Sequence, residues 1–280
     1  MKKRRALLLS LLVLLLVVGF PVGFFVRAVH HEQLNRSLIA AVENDDFAAV
    51  RRLLRQSADP NTPVFPEDTR TLWQRVWDTY RPGHSPHPTP SISILFEAAS
   101  HLSKEYDQAE RSAVMQNKPF PPIPDNVEII QALADAGADV NYRGGGRNAT
   151  PLIVAAYFGK FETMKVLLAH NADVTVVDSD GGTALASAAS QANVEVVEAL
   201  LQRGADIHRK DKLGRTALHA VLGPYQSRSM DKIEAMVACL IRHGASVSEK
   251  DNEGNSIMAL ASRFNDPPLM QMLKQAGAKE

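Results

Sequence analysis

The histidines and the one cysteine are the residues of this 280-residue chain that could hold a metal ion or carry out catalysis. His84 and His87 flank a proline, and His30 and His31 are adjacent, but neither pair has further ligands at the spacing of a zinc site. Cys239 lies in the apolar run MVACLI, which favours a buried and unreactive thiol. We therefore expect no catalytic residue, no metal site and no cofactor, and we predict that the chain is not an enzyme.

Two features argue against binding to nucleotides or nucleic acids. The run Gly144-Gly145-Gly146-Arg147 lacks the Lys-Ser/Thr ending of a phosphate-binding loop, so we interpret it as a flexible turn. Basic and acidic residues number 31 each, and the first 27 positions hold 5 basic residues and no acidic one. The rest of the chain is therefore mildly acidic, whereas a nucleic-acid interface needs a basic face.

The N-terminal residues predict a membrane anchor. Residues 2–5 are all basic, and residues 6–26 form a run of 21 residues without a charge, long enough to cross a bilayer as a helix. Because positive charge prefers the cytoplasmic side, residues 1–5 should be a cytoplasmic tail, and the body should be exported, in a bacterium to the periplasm. We assign residues 27–35 to a juxtamembrane linker. A cleaved signal that releases a soluble periplasmic protein is the alternative.

The elements that position the remaining residues follow a repeat. Hydrophobic residues make up 45% of the chain and charged residues 22%, as in a globular protein. Thr-Pro-Leu at Thr150 recurs as Thr-Ala-Leu at Thr183 and at Thr216, each 33 residues further on. A second motif, Gly-Ala-Asp or a close variant, begins at 137, 171, 204, 244 and 277, in steps of 34, 33, 40 and 33 residues. Two independent motifs therefore share one period and one insertion.

These motifs resemble the ankyrin-repeat family, whose pattern runs D-x-x-G-x-T-P-L-H-x-A-A, then a helix, then G-A-D-V-N; residues 178–212 match it well. The resemblance covers residues 36–280 and implies an all-α solenoid of about six repeats, each a helix-turn-helix with a β-finger loop. The first repeat is degenerate and spans 36–61, and the second begins near Ser93 and resumes at 127–141. The others begin near residues 148, 181, 214 and 254.

The residues of each repeat also have a direct physical interpretation. A threonine such as Thr183 can cap the first helix, and proline fits the first helical turn. Gly204 favours the left-handed conformation that ends a second helix, and Asn171 is the next-best residue type there. His219, His170 and His243 occupy positions where the resemblance implies structural roles.

Three insertions interrupt the repeat, at about 62–90, 101–126 and 223–230. The first contains the run DTRTLWQRVWDTY, which predicts a short helix with Trp73, Trp77 and Tyr80 on one face. That face is either a partner-binding arm or a lid packed on the solenoid. The third insertion carries Tyr225, and long loops of this kind often lie at functional surfaces.

The resemblance also implies a binding surface, because ankyrin fingertips and first helices line a concave face that grips partners. The exposed Tyr157–Phe158 pair is a plausible anchor. Mixed charges favour a protein partner over nucleic acid. The candidate residues carried over by position are Arg143, Arg147, Ser179, Asp180, Lys210, Lys212, Leu213, Arg215 and Asn252 on the fingers, and Tyr157, Phe158, Gln191, Tyr225, Arg263 and Phe264 on the first helices.

We therefore predict a monomeric, non-catalytic protein-binding module, anchored in the bacterial inner membrane with its repeats in the periplasm. Its most concrete form is an inhibitor or immunity protein that neutralises a secreted toxin or hydrolase. A periplasmic scaffold that supports an envelope or oxidative-stress-defence enzyme is the first alternative. A host-interacting effector is the second.

Overall fold

The computed structural model describes residues 20–64, 92–100, 125–223 and 229–279. Its helices follow one another in pairs, each made of a first and a second helix. The pairs are α1 (Phe20–Glu43) and α2 (Phe47–Arg55), α3 (Ile94–Ser100) and α4 (Val127–Asp135), α5 (Pro151–Tyr157) and α6 (Phe161–Ala169), α7 (Ala184–Ser190) and α8 (Val194–Gln202), α9 (Ala217–Val221) and α10 (Met230–Arg242), and α11 (Ile257–Ala261) and α12 (Pro267–Gln275), with a 3₁₀ turn at Ser262–Phe264 between the last two.

Stacking of these pairs builds one continuous core. Each first helix contacts the first helix of the next pair, from α1 through to α11. Leu152, Leu185 and Leu218 occupy the same position in α5, α7 and α9, and each is 0 or 1% exposed. Leu167 and Leu200 on the second helices are 0% exposed. A single pair could not bury both of its faces, so the fold depends on contacts between neighbours.

The capping residues expected from the sequence lie at the helix ends. The Thr183 side chain accepts a hydrogen bond from the backbone N–H of Ala186 at 3.0 Å, and Pro151 occupies the first turn of α5. Gly204 follows α8 with φ +86°, and Asn171 takes the corresponding place after α6 with φ +62°. These positions are where the chain reverses direction between a second helix and the next finger.

Short antiparallel pairings form the finger loops between helix pairs. Strand β1 (Pro63–Val64) pairs with β2 (Ile92–Ser93), with Pro63 opposite Ser93 and Val64 opposite Ile92. Single bridges close three further fingers, at Gly144–Ala149, Val177–Thr183 and Lys250–Ser256. The described fold is otherwise helical, as the sequence predicts.

The insertions contribute little to the described residues. Residues 65–91, 101–124 and 224–228 lie outside the described ranges. The predicted helix with Trp73, Trp77 and Tyr80, and the loop with Tyr225, fall within those residues. The predicted boundaries of the insertions and of the repeat domain therefore stay predictions.

The predicted membrane anchor over 6–26 requires a correction. Residues 20–26 begin α1, which continues without a break through the predicted linker 27–35. This helix carries Arg27, Glu32 and Arg36, and among the described residues no helix combines the length and the apolar composition needed to cross a membrane. Residues 6–19 lie outside the described ranges. The finding contradicts the predicted location in a bacterial inner membrane with a periplasmic repeat domain.

Candidate partner-binding surface

An aspartate at the base of each of three fingers holds the loop in shape. The Asp211 carboxylate accepts hydrogen bonds from the backbone N–H groups of Leu213 and Arg215, both at 2.9 Å. The Asp251 carboxylate accepts from the backbone N–H groups of Glu253 and Asn255 at 3.0 and 2.8 Å. Asp178 does the same in the preceding finger. These hydrogen bonds fix the direction in which each fingertip points.

Backbone hydrogen bonds then join each finger to the next. The backbone N–H of Ser179 donates to the carbonyl of Arg147 at 2.7 Å, and that of Lys212 donates to the carbonyl of Asp180 at 2.8 Å. The third link runs from the N–H of Asn252 to the carbonyl of Leu213 at 2.9 Å. The fingers therefore form one continuous ladder. We name the residues at these links, Arg147, Ser179, Asp180, Lys212, Leu213 and Asn252, the fingertip surface.

The charged residues predicted on the fingers bond to neighbouring groups. The Arg147 guanidinium lies 3.6 Å from the Asp180 carboxylate. Lys210 pairs with Glu249 on the next finger, and this hydrogen bond lowers the pKa of the Glu249 carboxyl. Arg215 pairs with Asp211 at its own base at 2.7 Å. The surface therefore carries both signs of charge in fixed positions.

Arg143 and Leu213 occupy different environments on the fingers. The Arg143 side chain donates to the backbone carbonyl of Val177 at 2.7 Å, so it braces the next finger. Leu213 is 51% exposed, one of three exposed large hydrophobic residues among the described ones. An exposed leucine on a braced loop is a candidate contact for a partner.

The predicted aromatic pair lies at the other end of the first helices. Tyr157 ends α5 and is 48% exposed. The Phe158 ring contacts it edge to face, with centroids 5.3 Å apart at 82°. Phe158 is half-buried, so the pair is less exposed than the sequence suggests. Only Tyr157 offers a large free surface.

The structure does not bring all the predicted binding residues together. Gln191 and Arg263 are exposed, and the half-buried Phe264 packs against the core. Like Tyr157, these residues lie at turns between first and second helices. The fingers lie at the opposite ends of the first helices, about 10 Å away for a seven-residue helix such as α5. The candidates therefore divide into two groups.

His219 has the structural role that the resemblance implies. Its Nδ1 atom accepts a hydrogen bond from the backbone N–H of Thr216 at 3.2 Å and lies 2.9 Å from the Thr216 hydroxyl. The histidine is 1% exposed and completes a capping box at the start of α9. Burial lowers the pKa of His219, and the Asp251 carboxylate offsets part of this effect. The neutral imidazole is therefore the form that fits the cap.

This cap predicts a pH-dependent stability. Because the folded pKa lies below the ordinary value of 6.5, the stabilisation is present above that pH and is lost as the pH falls through the folded pKa. We expect the urea midpoint of the chain to fall between about pH 7 and pH 5, and His219→Gln to reduce this slope, since glutamine accepts the same N–H without titrating. Denaturation curves of both proteins at each pH check this. Identical slopes would contradict it.

His170 and His243 follow the second helices α6 and α10. His170 Nε2 lies 3.2 Å from the Asp135 carboxylate, and His243 Nδ1 lies 2.9 Å from the Cys239 carbonyl. Both histidines therefore connect or close helix ends. Burial raises the pKa of the Cys239 thiol, which keeps it protonated and poorly nucleophilic.

A buried lysine is the main polar feature that the sequence does not reveal. Lys160, at the turn before α6, is 2% exposed. Burial lowers its pKa, and the Asp125 and Asp45 carboxylates offset part of this effect. Asp125 also accepts a hydrogen bond from the backbone N–H of Thr163 at 3.1 Å. These groups tie together the turns of three successive helix pairs.

Potential metal ligands do not gather in the described part of the chain. Among those residues, no group of three or more His, Cys, Asp or Glu side chains could hold a metal ion. The absence of a cofactor and of enzymatic activity stays a prediction.

Comparisons with known proteins match the repeats. A family model for ankyrin repeats, in three copies, matches residues 124–211. Palmitoyltransferase AKR1 from the yeast Lachancea kluyveri is 32% identical over 101 residues, which are 36% of this chain and 13% of that protein. A putative E3 ubiquitin-protein ligase, XBAT34 from Arabidopsis thaliana, is 40% identical over 68 residues, 24% of this chain and 18% of that protein. The match thus spans less than a fifth of either relative, so their enzymatic names describe much longer proteins.

These two relatives come from a yeast and a plant, which also contradicts the predicted bacterial inner-membrane location. A solved ankyrin repeat domain from Acinetobacter baumannii AYE shares the fold, with a TM-score of 0.60 and 24% identity, over 86% of this chain and 98% of that one. The family model matches three repeats, so the count of six stays a prediction. The repeat period, the stacked helix pairs and these matches agree, and the chain belongs to the ankyrin-repeat family, whose repeats serve as protein–protein interaction modules.

Proposed function

We propose that the chain is a non-catalytic module that recognises a protein partner with its fingertip surface. The observation that carries the proposal is the ladder of backbone hydrogen bonds that joins the fingers. It holds exposed side chains in place before a partner arrives, so little conformational entropy is lost when the partner binds.

The side chains of this surface suit a folded protein. Leu213 offers an apolar contact near the exposed Lys212, while Arg147 and Asp180 present a pair of opposite charges, with 68 and 61% of their side chains exposed. Protein interfaces combine an apolar centre with a polar rim of this kind. Tyr157, at the other end of the first helices, would contact only a partner large enough to span that distance.

We further propose that binding acts by occupying the partner. An inhibitor that neutralises a toxin or hydrolase is one form of such occupation, and a scaffold that holds an enzyme in place is the other. Both forms need a surface and no bond-making chemistry. An activity assay on the captured partner separates them, because a stoichiometric inhibitor abolishes the activity and a scaffold leaves it intact.

The proposed surface is tested by affinity capture of the full-length chain. We expect the double variant Leu213→Asp with Arg147→Glu to lower the recovery of its partner at least about tenfold, because it removes an apolar contact and reverses a charge. The matched control is Ala235→Asp with Lys232→Glu, which makes the same two changes at exposed positions of α10. Equal recovery with both variants would contradict the proposed surface.

A further inference from the structure

A second surface lies on the other side of the helix pairs, between the second helices α2 and α4. A groove of about 640 Å³ opens there. Half-buried apolar residues form its floor, among them Phe47 and Leu54 from α2 and Val127 and Ala132 from α4. We name it the α2–α4 groove.

The two lips of the groove carry opposite charges. Arg51 and Arg55, one helical turn apart on α2, line one lip, and Glu128 and Asp135 on α4 line the other. Asp135 is engaged by His170. Within the described part of the chain, Arg51, Arg55 and Glu128 form no hydrogen bond or ion pair. Three charged groups therefore face the groove without a partner.

Neighbouring pairs of second helices are bridged where this pair is open. His170 joins α4 to α6 through Asp135 and Gln131. Arg203 on the turn after α8 donates to the Leu168 carbonyl of α6, and Arg242 on α10 lies 3.6 Å from Glu198 on α8. Among the described residues, no such side-chain bridge crosses between α2 and α4. The opening is thus a feature of this one pair.

Hydrogen bonds hold both ends of the groove. At one end, the Asn126 side chain donates to the Asp45 carboxylate at 2.7 Å. At the other end, the Asn61 side chain donates to the Gly137 carbonyl at 3.1 Å and accepts from the Asp139 N–H at 2.7 Å. The spacing of α2 and α4 is therefore fixed while the middle stays open. A preformed groove of this kind costs little to order on binding.

We propose that the α2–α4 groove binds an amphipathic helix of a partner protein, with apolar side chains on its floor and the two charged edges of the helix facing the oppositely charged lips. The length of the groove supports this occupant, because α2 and α4 each have nine residues and thus run for about 13 Å, or two and a half turns. A third helix can pack along two others at 8–10 Å between axes. Acidic side chains on one edge would face the arginines, and basic side chains on the other would face Glu128.

The proposal is tested with three synthetic helical peptides of about 14 residues that share one leucine stripe. The first has glutamate along one edge of the stripe and lysine along the other, the second has lysine on both edges, and the third has glutamate on both. Reversing the direction of a helix exchanges its edges, so a peptide with the two edges swapped would be no control. Fluorescence anisotropy of each labelled peptide with the full-length chain at low salt measures binding.

We expect the first peptide to bind about fivefold more tightly than the other two, since each edge gains a partly exposed charge contact. The variant Arg51→Glu with Arg55→Glu makes both lips acidic and should instead prefer the peptide with lysine on both edges. Arg52→Glu is the matched control, because Arg52 lies on the same helix, is exposed and does not line the groove. It should keep the original order of affinities.

Three results would overturn the proposal. The first is equal affinity for the three peptides. The second is a change of preference with Arg52→Glu as large as that with the double variant. The third is self-association of the chain that the double variant abolishes, measured by sedimentation, because the groove would then belong to a second copy.

Discussion

Replacing Gly214 by alanine is expected to lower the free energy of unfolding by about 2 to 4 kcal/mol. Gly214 has φ +74°, which strains any residue with a Cβ atom. A Cβ atom there would also lie 2.9 Å from the backbone nitrogen of Asn252 on the next finger. The substitution would push apart two fingers at the point where Asn252 donates to the Leu213 carbonyl.

Gly254 provides a matched control for this prediction. It occupies the same place in the following finger with φ +82°, but a Cβ atom there meets nothing within 4 Å. Gly254→Ala should therefore cost about 1 kcal/mol, the conformational penalty alone. Urea denaturation followed by circular dichroism compares the two variants. Similar losses from both would show that contact between fingers contributes little to stability.

The second large effect is expected in the stacked core. Leu200 is 0% exposed, whereas its neighbour Leu201 on α8 is half-buried. Leu200→Ala should lower the free energy of unfolding by about 3 kcal/mol, through lost burial and a cavity that close-packed neighbours cannot fill.

Leu201→Ala makes the same change one residue away and should cost about 1 kcal/mol. Denaturant titration of both variants measures the difference. Because repeat proteins are held together by neighbour contacts, the slope of each transition shows whether the stack still unfolds as one unit. Equal losses would contradict the assignment of Leu200 to the core between helix pairs.

The positions that repeat along the sequence were predictable, because each repeat has the same local task. Thr183 caps a helix and Gly204 reverses the chain through local interactions, so their spacing alone identifies them. Asp178, Asp211 and Asp251 follow the same steps of 33 and 40 residues. Their role in shaping the fingers could therefore have been inferred from the period, although the sequence analysis assigned them none.

Features that depend on distant contacts were not predictable from the period. Lys160 is buried beside Asp125 and Asp45, which lie far from it in the sequence. The α2–α4 groove depends on the distance between two helices that an insertion separates. The predicted end of an apolar segment at residue 26 was also misleading, because α1 begins at Phe20 with Pro21 in its first turn, where proline is tolerated.

The account rests on the claim that the fingertip surface touches the partner, and site-specific photocrosslinking tests this most directly. A photoreactive amino acid replaces Leu213 in the full-length chain, and a second protein carries it at the exposed Ala235 of α10. We predict a covalent adduct with one partner protein from position 213 and none from position 235. An adduct from position 235 alone, or equal adducts from both positions, would contradict the claim.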